Sequence, residues 1–465
     1  MKALKWVSKS VVLPLVLTLA ACSGTGGGSS TAGETGSPSK SPESSTSAAT
    51  ASPPKVPDLG GQTIKIGQWW DDADPRKVPA DKIDAATQKQ TDLINAAEKK
   101  YNCKIEFVKF GDYGKYVENF TTTSLAGQPF ADVVVLELFW SFPTLANKGL
   151  IQPIDGWIDM KSSRYNDWMR KGGSFNGKQY GYYDGTPSPY GIFYNKTMVQ
   201  KLGLEDPFEL QKKGEWTWDK FRDFMKKATQ DTNGDGKPDV YGFPGGRVFD
   251  LAQQLVYVNK GSVEKDASGQ FKFSLDNENS MQALQFVSDL YNSDKTFDPS
   301  TNDPSKDFIA GKDVLYPGFS WEFNGLRDNM KDTTLGYVFF PKGPKSDKYQ
   351  SYTQFGNMYF APKYSKNAEV AMKIYDEINL GPEGKQYSLQ GWQSAYPTPE
   401  LVETRKLMSE NIDYISYFSV PDGQKYFGQI VEDITKGKQS PSSAVEKVKP
   451  QFNAAIDKLL AESKQ

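Results

Sequence analysis

The densest run of metal-type ligands is Asp231-Thr232-Asn233-Gly234-Asp235-Gly236-Lys237-Pro238-Asp239. Oxygen side chains stand at loop positions one, three, five and nine, with a glycine at six for the sharp turn and the Lys237 carbonyl at seven. That spacing suits a hard cation, and the expectation is a structural Ca2+ held by Asp231, Asn233, Asp235, Lys237 and Asp239. Position twelve is Gly242, where a complete loop of this kind carries a bidentate Glu. The remaining oxygens must therefore come from water, from Asp239 acting bidentate, or from a remote carboxylate. The alternative is an Asx-rich surface turn that binds no ion. An ion here would staple a loop and would not catalyse.

Composition closes most other chemistries. The 465 residues include no His, which removes His-based triads and the common zinc sites. Only Cys22 and Cys103 occur, so no CxxC site exists. Neither a Walker A sequence nor a GxSxG elbow is present. Carboxylates are plentiful, but a glycosidase pair is defined by separation in space. Glu137, Asp71 and Asp184 read as hydroxyl acceptors or helix caps. With 55 Lys+Arg against 57 Asp+Glu the net charge is −2, and no basic stripe points to nucleic acid. Without His, no unperturbed side chain titrates between about pH 6 and 8, so ligand affinity is expected to be flat there.

What remains is recognition, and aromatic residues make up 13% of the chain, with 10 Trp and 24 Tyr. They cluster where strands end. Gln62–Gly67 reads as a strand, Ala80–Tyr101 as a helix, and Cys103-Lys104-Ile105-Glu106-Phe107 as an alternating strand that buries Cys103 as a structural thiol. A helix near Tyr116–Ala126 follows, then the continuous apolar strand Asp132–Leu136. Strand, helix, strand, helix, strand implies right-handed crossovers in a doubly wound sheet, whose ligands sit beyond the carboxyl ends of the strands. Those ends are Gln68-Trp69-Trp70-Asp71-Asp72, Phe110-Gly111-Asp112-Tyr113 and Glu137-Leu138-Phe139-Trp140. All three carry aromatics and carboxylates, the composition of a binding cleft. Trp218–Thr229, Asn279–Asn292, Asn367–Leu380 and Ser443–Leu460 read as further helices, with Pro450 an alternative start for the last.

The first residues are an address. Lys2, Lys5 and Lys9 precede the short apolar run Val11–Leu19, the order of a secretory signal. Leu19-Ala20-Ala21-Cys22 resembles a bacterial lipobox, whose Cys is diacylated and becomes the mature N-terminus. Residues 23–54, nearly all Gly, Ser, Thr, Ala and Pro, form a flexible leash of about 30 Å average span.

The order of shorter segments carries a resemblance across nearly all of the body. Ala131-Asp132-Val133-Val134 precedes Leu145-Ala146-Asn147-Lys148-Gly149-Leu150-Ile151, then Gly177-Lys178-Gln179-Tyr180-Gly181 and Tyr194-Asn195-Lys196. Trp216-Thr217-Trp218-Asp219-Lys220-Phe221 leads into the calcium-type loop. Phe308-Ile309-Ala310-Gly311-Lys312 and Gly318-Phe319-Ser320-Trp321 follow. In this order the chain resembles family 1 extracellular solute-binding proteins, the carbohydrate-binding lipoproteins of bacterial ABC importers. The resemblance implies an α/β, two-lobe, periplasmic-binding-protein-like (type II) fold, each lobe a doubly wound sheet, joined by a hinge with three crossovers. It divides the chain into a signal (1–21), a lipidated Cys22 with its tether (22–56), lobe 1 (57–186 plus 355–395) and lobe 2 (187–354 plus 396–465). It implies a cleft lined by Trp69, Trp70, Asp71, Glu137, Trp140, Tyr190, Asp250 and Trp321. The implied protein is a non-enzymatic monomer on the outer face of the cell membrane that hands a sugar or oligosaccharide to permease subunits. A receptor for peptide or another polar solute on the same fold, and a tethered glycoside hydrolase, are the alternatives.

Overall fold

The structure, a computed structural model, describes residues 56–462 apart from 72, 166, 184–187, 263, 266–270, 300–302, 331–332 and 354–355. The signal, Cys22, the leash and Asp184 lie outside the described residues. Val56–Gln465 forms one compact unit. Its main strands in chain order are β1 (Thr63–Gln68), β2 (Lys104–Lys109), β3 (Val133–Glu137), β4 (Ile151–Gln152), β5 (Tyr190–Asn195), β6 (Phe243–Pro244), β7 (Phe297–Asp298), β8 (Leu315–Phe319), β9 (Leu335–Val338) and β10 (Asn357–Pro362).

They build two sheets on one plan. The first runs β2-β1-β3-β10-β4, with β1 parallel to β2 and β3, and β10 antiparallel to β3 and β4. In the second, β5 lies antiparallel between β8 and β9. Tyr241 bridges Asp313 in parallel, and Val314 N donates to Tyr241 O at 2.9 Å, so β6 lies beside β8. β6 in turn pairs β7 in parallel. The second order is therefore β7-β6-β8-β5-β9, again with the fourth strand reversed. Each reversed strand is the first that the chain makes on entering that sheet from the other. The connections before β5 and β10 thus run between the sheets. A third passage is the helix Pro382–Ala395, which contacts Ala85–Tyr101 at the first sheet and Pro399–Glu410 at the second.

Burial follows the sequence pattern. Val133, Val134 and Val135 are fully buried, as a strand covered on both faces requires. Cys103 is buried beside Ile94, Ala97 and Ile105, and burial raises its thiol pKa. Several helix boundaries differ from the sequence reading, and the helix read near Tyr116–Ala126 begins at Tyr113. The first helix starts at Ala85, because Asp84 accepts from Thr87 N at 2.7 Å and caps it, leaving Ala80–Lys82 as a separate 3-10 turn. The helix Glu278–Ser288 passes into a π turn, Asp289–Ser293. The last helix runs Pro441–Glu462 straight through Pro450. Its stripe of Val445, Val448, Phe452, Ile456 and Leu459 is buried along the whole length, and that packing outweighs the one hydrogen bond a proline removes.

Candidate functional site

The carboxyl end of the first sheet is a wall of rings. Trp69, the first residue past β1, meets Trp70 at 5.1 Å, Tyr116 at 5.2 Å, Tyr113 at 5.4 Å and Trp140 at 5.5 Å between centroids, all close to edge-on. Tyr113 and Trp140 approach to 4.9 Å. The edge of one ring carries partial positive charge and the face of the next partial negative, so such clusters hold their geometry without a ligand. Asp71 stands outside the wall, exposed and ion-paired to Lys109 at 2.8 Å.

Glu137 ends β3 and is only 2% exposed. Gly356 N donates to its Oε2 at 2.9 Å. The Asn357 amide, turned with its nitrogen toward the carboxylate, donates at 2.7 and 3.0 Å. Gly356 allows this approach, since a Cβ there would sit 2.7 Å from Leu138 Cδ1. Burial pushes the Glu137 carboxyl up to about 8, against the pull of the Gly356 N–H. A buried carboxyl with a raised pKa therefore stands beside Tyr113, the kind of group through which affinity would come to depend on pH.

The second sheet ends in polar groups. Arg247 closes the 3-10 turn after β6; its guanidinium donates to Tyr316 Oη at 2.8 Å and reaches Asp250 Oδ2 at 3.4 Å. Tyr316 Oη donates to Glu322 Oε2 at 2.9 Å, and Phe319 N donates to Glu322 Oε1 at 2.7 Å. Gly318 leaves room for this, because a Cβ would lie 3.0 Å from Glu322 Oε1. Burial raises both carboxyls, Asp250 and Glu322, and the Arg247 charge opposes the shift at each. Arg247 Nε is buried without a hydrogen-bond partner. Beside the network Trp321 is 68% exposed and lies parallel to Phe319, with centroids 6.1 Å apart.

Of the eight cleft residues expected from the sequence, Asp71 stands apart and the other seven fall into two groups. Trp69, Trp70 and Trp140 come together at the first sheet, with Glu137 behind them. Tyr190, Asp250 and Trp321 gather at the second, where Tyr190 is 1% exposed. Glu137 and Tyr190 sit in the floor, being the last and first residues of fully buried strands. Arg247, Tyr316 and Glu322 were not anticipated. The available signals were the Gly245-Gly246-Arg247 turn directly after a strand and Glu322 next to Trp321.

The two halves meet where Leu138–Leu145 packs on the turn Ser416–Ser419. Beside that seam a cavity of about 320 Å³ is lined by Phe139, Trp140, Thr144 and Lys148 from one half and by Ser419 and Asp422 from the other. A larger cavity, about 610 Å³, is lined by Phe271, Phe273, Lys449, Ile456 and Leu460 and touches none of the strand-end residues.

The 231–239 loop is a closed, exposed turn between Gln230 and Val240, which pair across it. Asp231 accepts from Gly234 N at 2.6 Å and Gly236 N at 2.7 Å, and Asp239 accepts from Thr232 N and Oγ1 at 2.9 Å. Gly234 and Gly236 take φ of +80° and +83°. Among the described residues no group of three acidic, His or Cys side chains gathers as a metal site.

Comparison with known proteins places this geometry. The family model described as bacterial extracellular solute-binding protein matches residues 92–413. A cyclo/maltodextrin-binding protein complexed with maltotetraose matches with a TM-score of 0.64 and 17% identity, over 85% of this chain and 97% of that one. The ABC substrate-binding protein Lmo0181 from Listeria monocytogenes, in complex with cycloalternan, gives 0.62 and 17% over 85% and 99%. UgpB from Mycobacterium tuberculosis, in complex with glycerophosphocholine, gives 0.64 and 16% over 86% and 99%. These likenesses give the two-lobe fold, and the family match extends through both sheets. The chain belongs to the bacterial extracellular solute-binding protein family.

Proposed function

We propose that this protein is the ligand receptor of an ABC importer, that it binds a sugar or oligosaccharide between its two strand-end walls, and that it delivers the ligand to permease subunits without altering it. The observation that carries the reading is the pairing of a ring wall at one sheet with a hydrogen-bonded Arg247–Asp250–Tyr316–Glu322 network at the other. Sugars present C–H faces that stack on rings and hydroxyls that need fixed planar donors and acceptors. Closure about the three inter-sheet connections would bring both walls onto one ligand.

Thermal shift of the body (residues 56–465) against mono- and oligosaccharides tests this. A sugar at a hundredfold excess over Kd stabilises by about 2.7 kcal/mol through mass action. Stabilisation with no product after overnight incubation is the expected result. A response to peptides or a phosphodiester alone would move the substrate, and turnover would replace the receptor reading with a hydrolase.

The anchor is part of the same proposal. Diacylated Cys22 and the leash would hold a monomeric body at the outer face of the membrane; Cys22→Ser should release the protein into the medium. Among the described residues no helix is long and apolar enough to cross a membrane. Calcium at Asp231, Asn233, Asp235, Lys237 and Asp239 is also proposed, on the loop spacing and its two left-handed glycines. A melting temperature that rises with Ca2+ and falls with EDTA would support it, and no response would set it aside.

A further inference from the structure

One of the connections between the sheets ends on a single buried carboxyl. Both oxygens of Glu137 are taken by the residues that enter β10 from the second half: Gly356 N donates at 2.9 Å, and the Asn357 amide at 2.7 and 3.0 Å. Leu138 N returns a bond to Gly356 O at 2.9 Å. The same connection begins at the second sheet, where Ser351 Oγ accepts from Tyr190 N at 3.1 Å and donates to Tyr190 O at 2.9 Å. There Ser351–Thr353 pairs in parallel with Ile412–Tyr414, which sets Tyr414 just before the turn that packs on Leu138–Leu145. Tyr414 Oη is buried with no hydrogen-bond partner, and the Glu137 carboxyl and the Ser419 hydroxyl face it.

We infer that Glu137 and Tyr414 form a proton-operated latch between the two halves: the neutral carboxyl donates to Tyr414 Oη and holds the seam shut, and loss of that proton lets the halves part. Gly356 N and the Asn357 amide are donors, so the proton of a neutral Glu137 needs an acceptor from elsewhere, and the unpaired Tyr414 oxygen is one. Among the described residues no Lys or Arg pairs with Glu137. The titratable groups that face it are two phenols, Tyr113 on the helix Tyr113–Leu125 and Tyr414. A buried charge without a cation is stabilised by water, and water reaches Glu137 by opening the seam. The neutral form therefore favours the closed arrangement and the ionised form the open one, in keeping with the upward shift that burial gives this carboxyl. Linkage to one proton changes such an equilibrium by at most about tenfold per pH unit. The consequence for binding rests on the receptor reading: a ligand that selects the closed arrangement takes up part of a proton, and its affinity falls as pH rises.

The first test needs no ligand. Small-angle X-ray scattering of residues 56–465 should show a radius of gyration that rises between about pH 6 and pH 9. Glu137→Gln, which keeps the shape of the neutral carboxyl, should stay at the compact value throughout. Tyr414→Phe removes the acceptor of the neutral form, so the midpoint of the rise should move to lower pH. Calorimetric titration with glucose- and mannose-based oligosaccharides should then give an affinity at least about tenfold weaker at the upper pH, with proton uptake on binding. Glu137→Gln should remove both effects. A wild-type radius independent of pH, a rise that persists in Glu137→Gln, or a midpoint untouched by Tyr414→Phe overturns the latch. Affinity that stays flat while the radius moves overturns its coupling to ligand. If no sugar binds at any pH while the radius behaves as expected, the latch stands and the sugar reading fails.

Discussion

The two strand-end walls are made of opposite materials. At the first sheet, four aromatic rings surround Trp69, and the carboxylate of Glu137 is buried behind them. At the second, an arginine, two acids and a tyrosine form a hydrogen-bonded chain, with a single exposed indole beside it. Ring faces reward contact area and tolerate rotation of the ligand. Hydrogen-bonding groups are directional, and each one left unpaired on closure costs about 1–3 kcal/mol. The first wall should therefore supply affinity for many sugars, and the second should choose among them.

Trp69→Ala makes the harshest break in that comparison. It removes the ring that four others touch, and we expect a stability loss of about 2–3 kcal/mol and an affinity loss of at least tenfold for every sugar bound. Unfolding curves and calorimetry across epimers would check both; loss confined to one epimer would contradict the division of labour. Arg247→Met comes next. It leaves Asp250 and Glu322 without their cation and should cost about 2 kcal/mol, discounted because the guanidinium is one-third exposed. Here the selectivity between epimers should collapse while weak binding to all of them persists.

A gentler probe is pH. The folded-state pKa of Glu137 is raised from 4.5 to about 8, so the folded protein holds a proton that the unfolded chain has released. Stability should accordingly fall as pH rises from about 4.5 to about 8, by a few kcal/mol at most, and level off above. Glu137→Gln should flatten the part that Glu137 contributes. Asp313, fully buried with neither oxygen hydrogen-bonded and likewise pushed up to about 8 by burial, would keep the remainder. Melting temperatures of the two proteins from pH 5 to 9 decide it, and parallel curves would refute the Glu137 contribution. The smallest effect belongs to Trp321→Ala. At 68% exposed the residue supports little, so stability should stay within about 0.5 kcal/mol while sugar affinity drops.

Three strands of the first sheet, β1, β2 and β3, were legible from sequence because each is an uninterrupted apolar or alternating run, whereas its reversed β10, Asn357–Pro362, has no β-branched residue and ends in proline and was not. The second sheet was not legible either. Its β8 segment, Leu315-Tyr316-Pro317-Gly318-Phe319, contains a proline and a glycine, and β6 has two residues. Their strand character comes from pairing across the sheet and not from local pattern. The same contrast governs the site. Rings that follow a strand directly can be read from a short window, as Trp69, Trp70 and Trp140 were. The polar network joins Arg247 to Tyr316 across 69 residues, and no local spacing announces such a bond. Pro450 failed as a boundary for a related reason, since tertiary packing on the Val445–Leu459 stripe overrode a local breaker.

The most direct test is the ligand-induced rise in melting temperature of the wild-type body, Trp69→Ala and Arg247→Met, each measured against its own unliganded value. A sugar should stabilise the wild type, and both substitutions should sharply reduce the rise, Arg247→Met leaving a weak one that no longer distinguishes epimers. Full stabilisation retained in both variants would mean that the sugar binds away from the strand ends, as in the cavity lined by Phe271 and Leu460, and would contradict the proposed cleft.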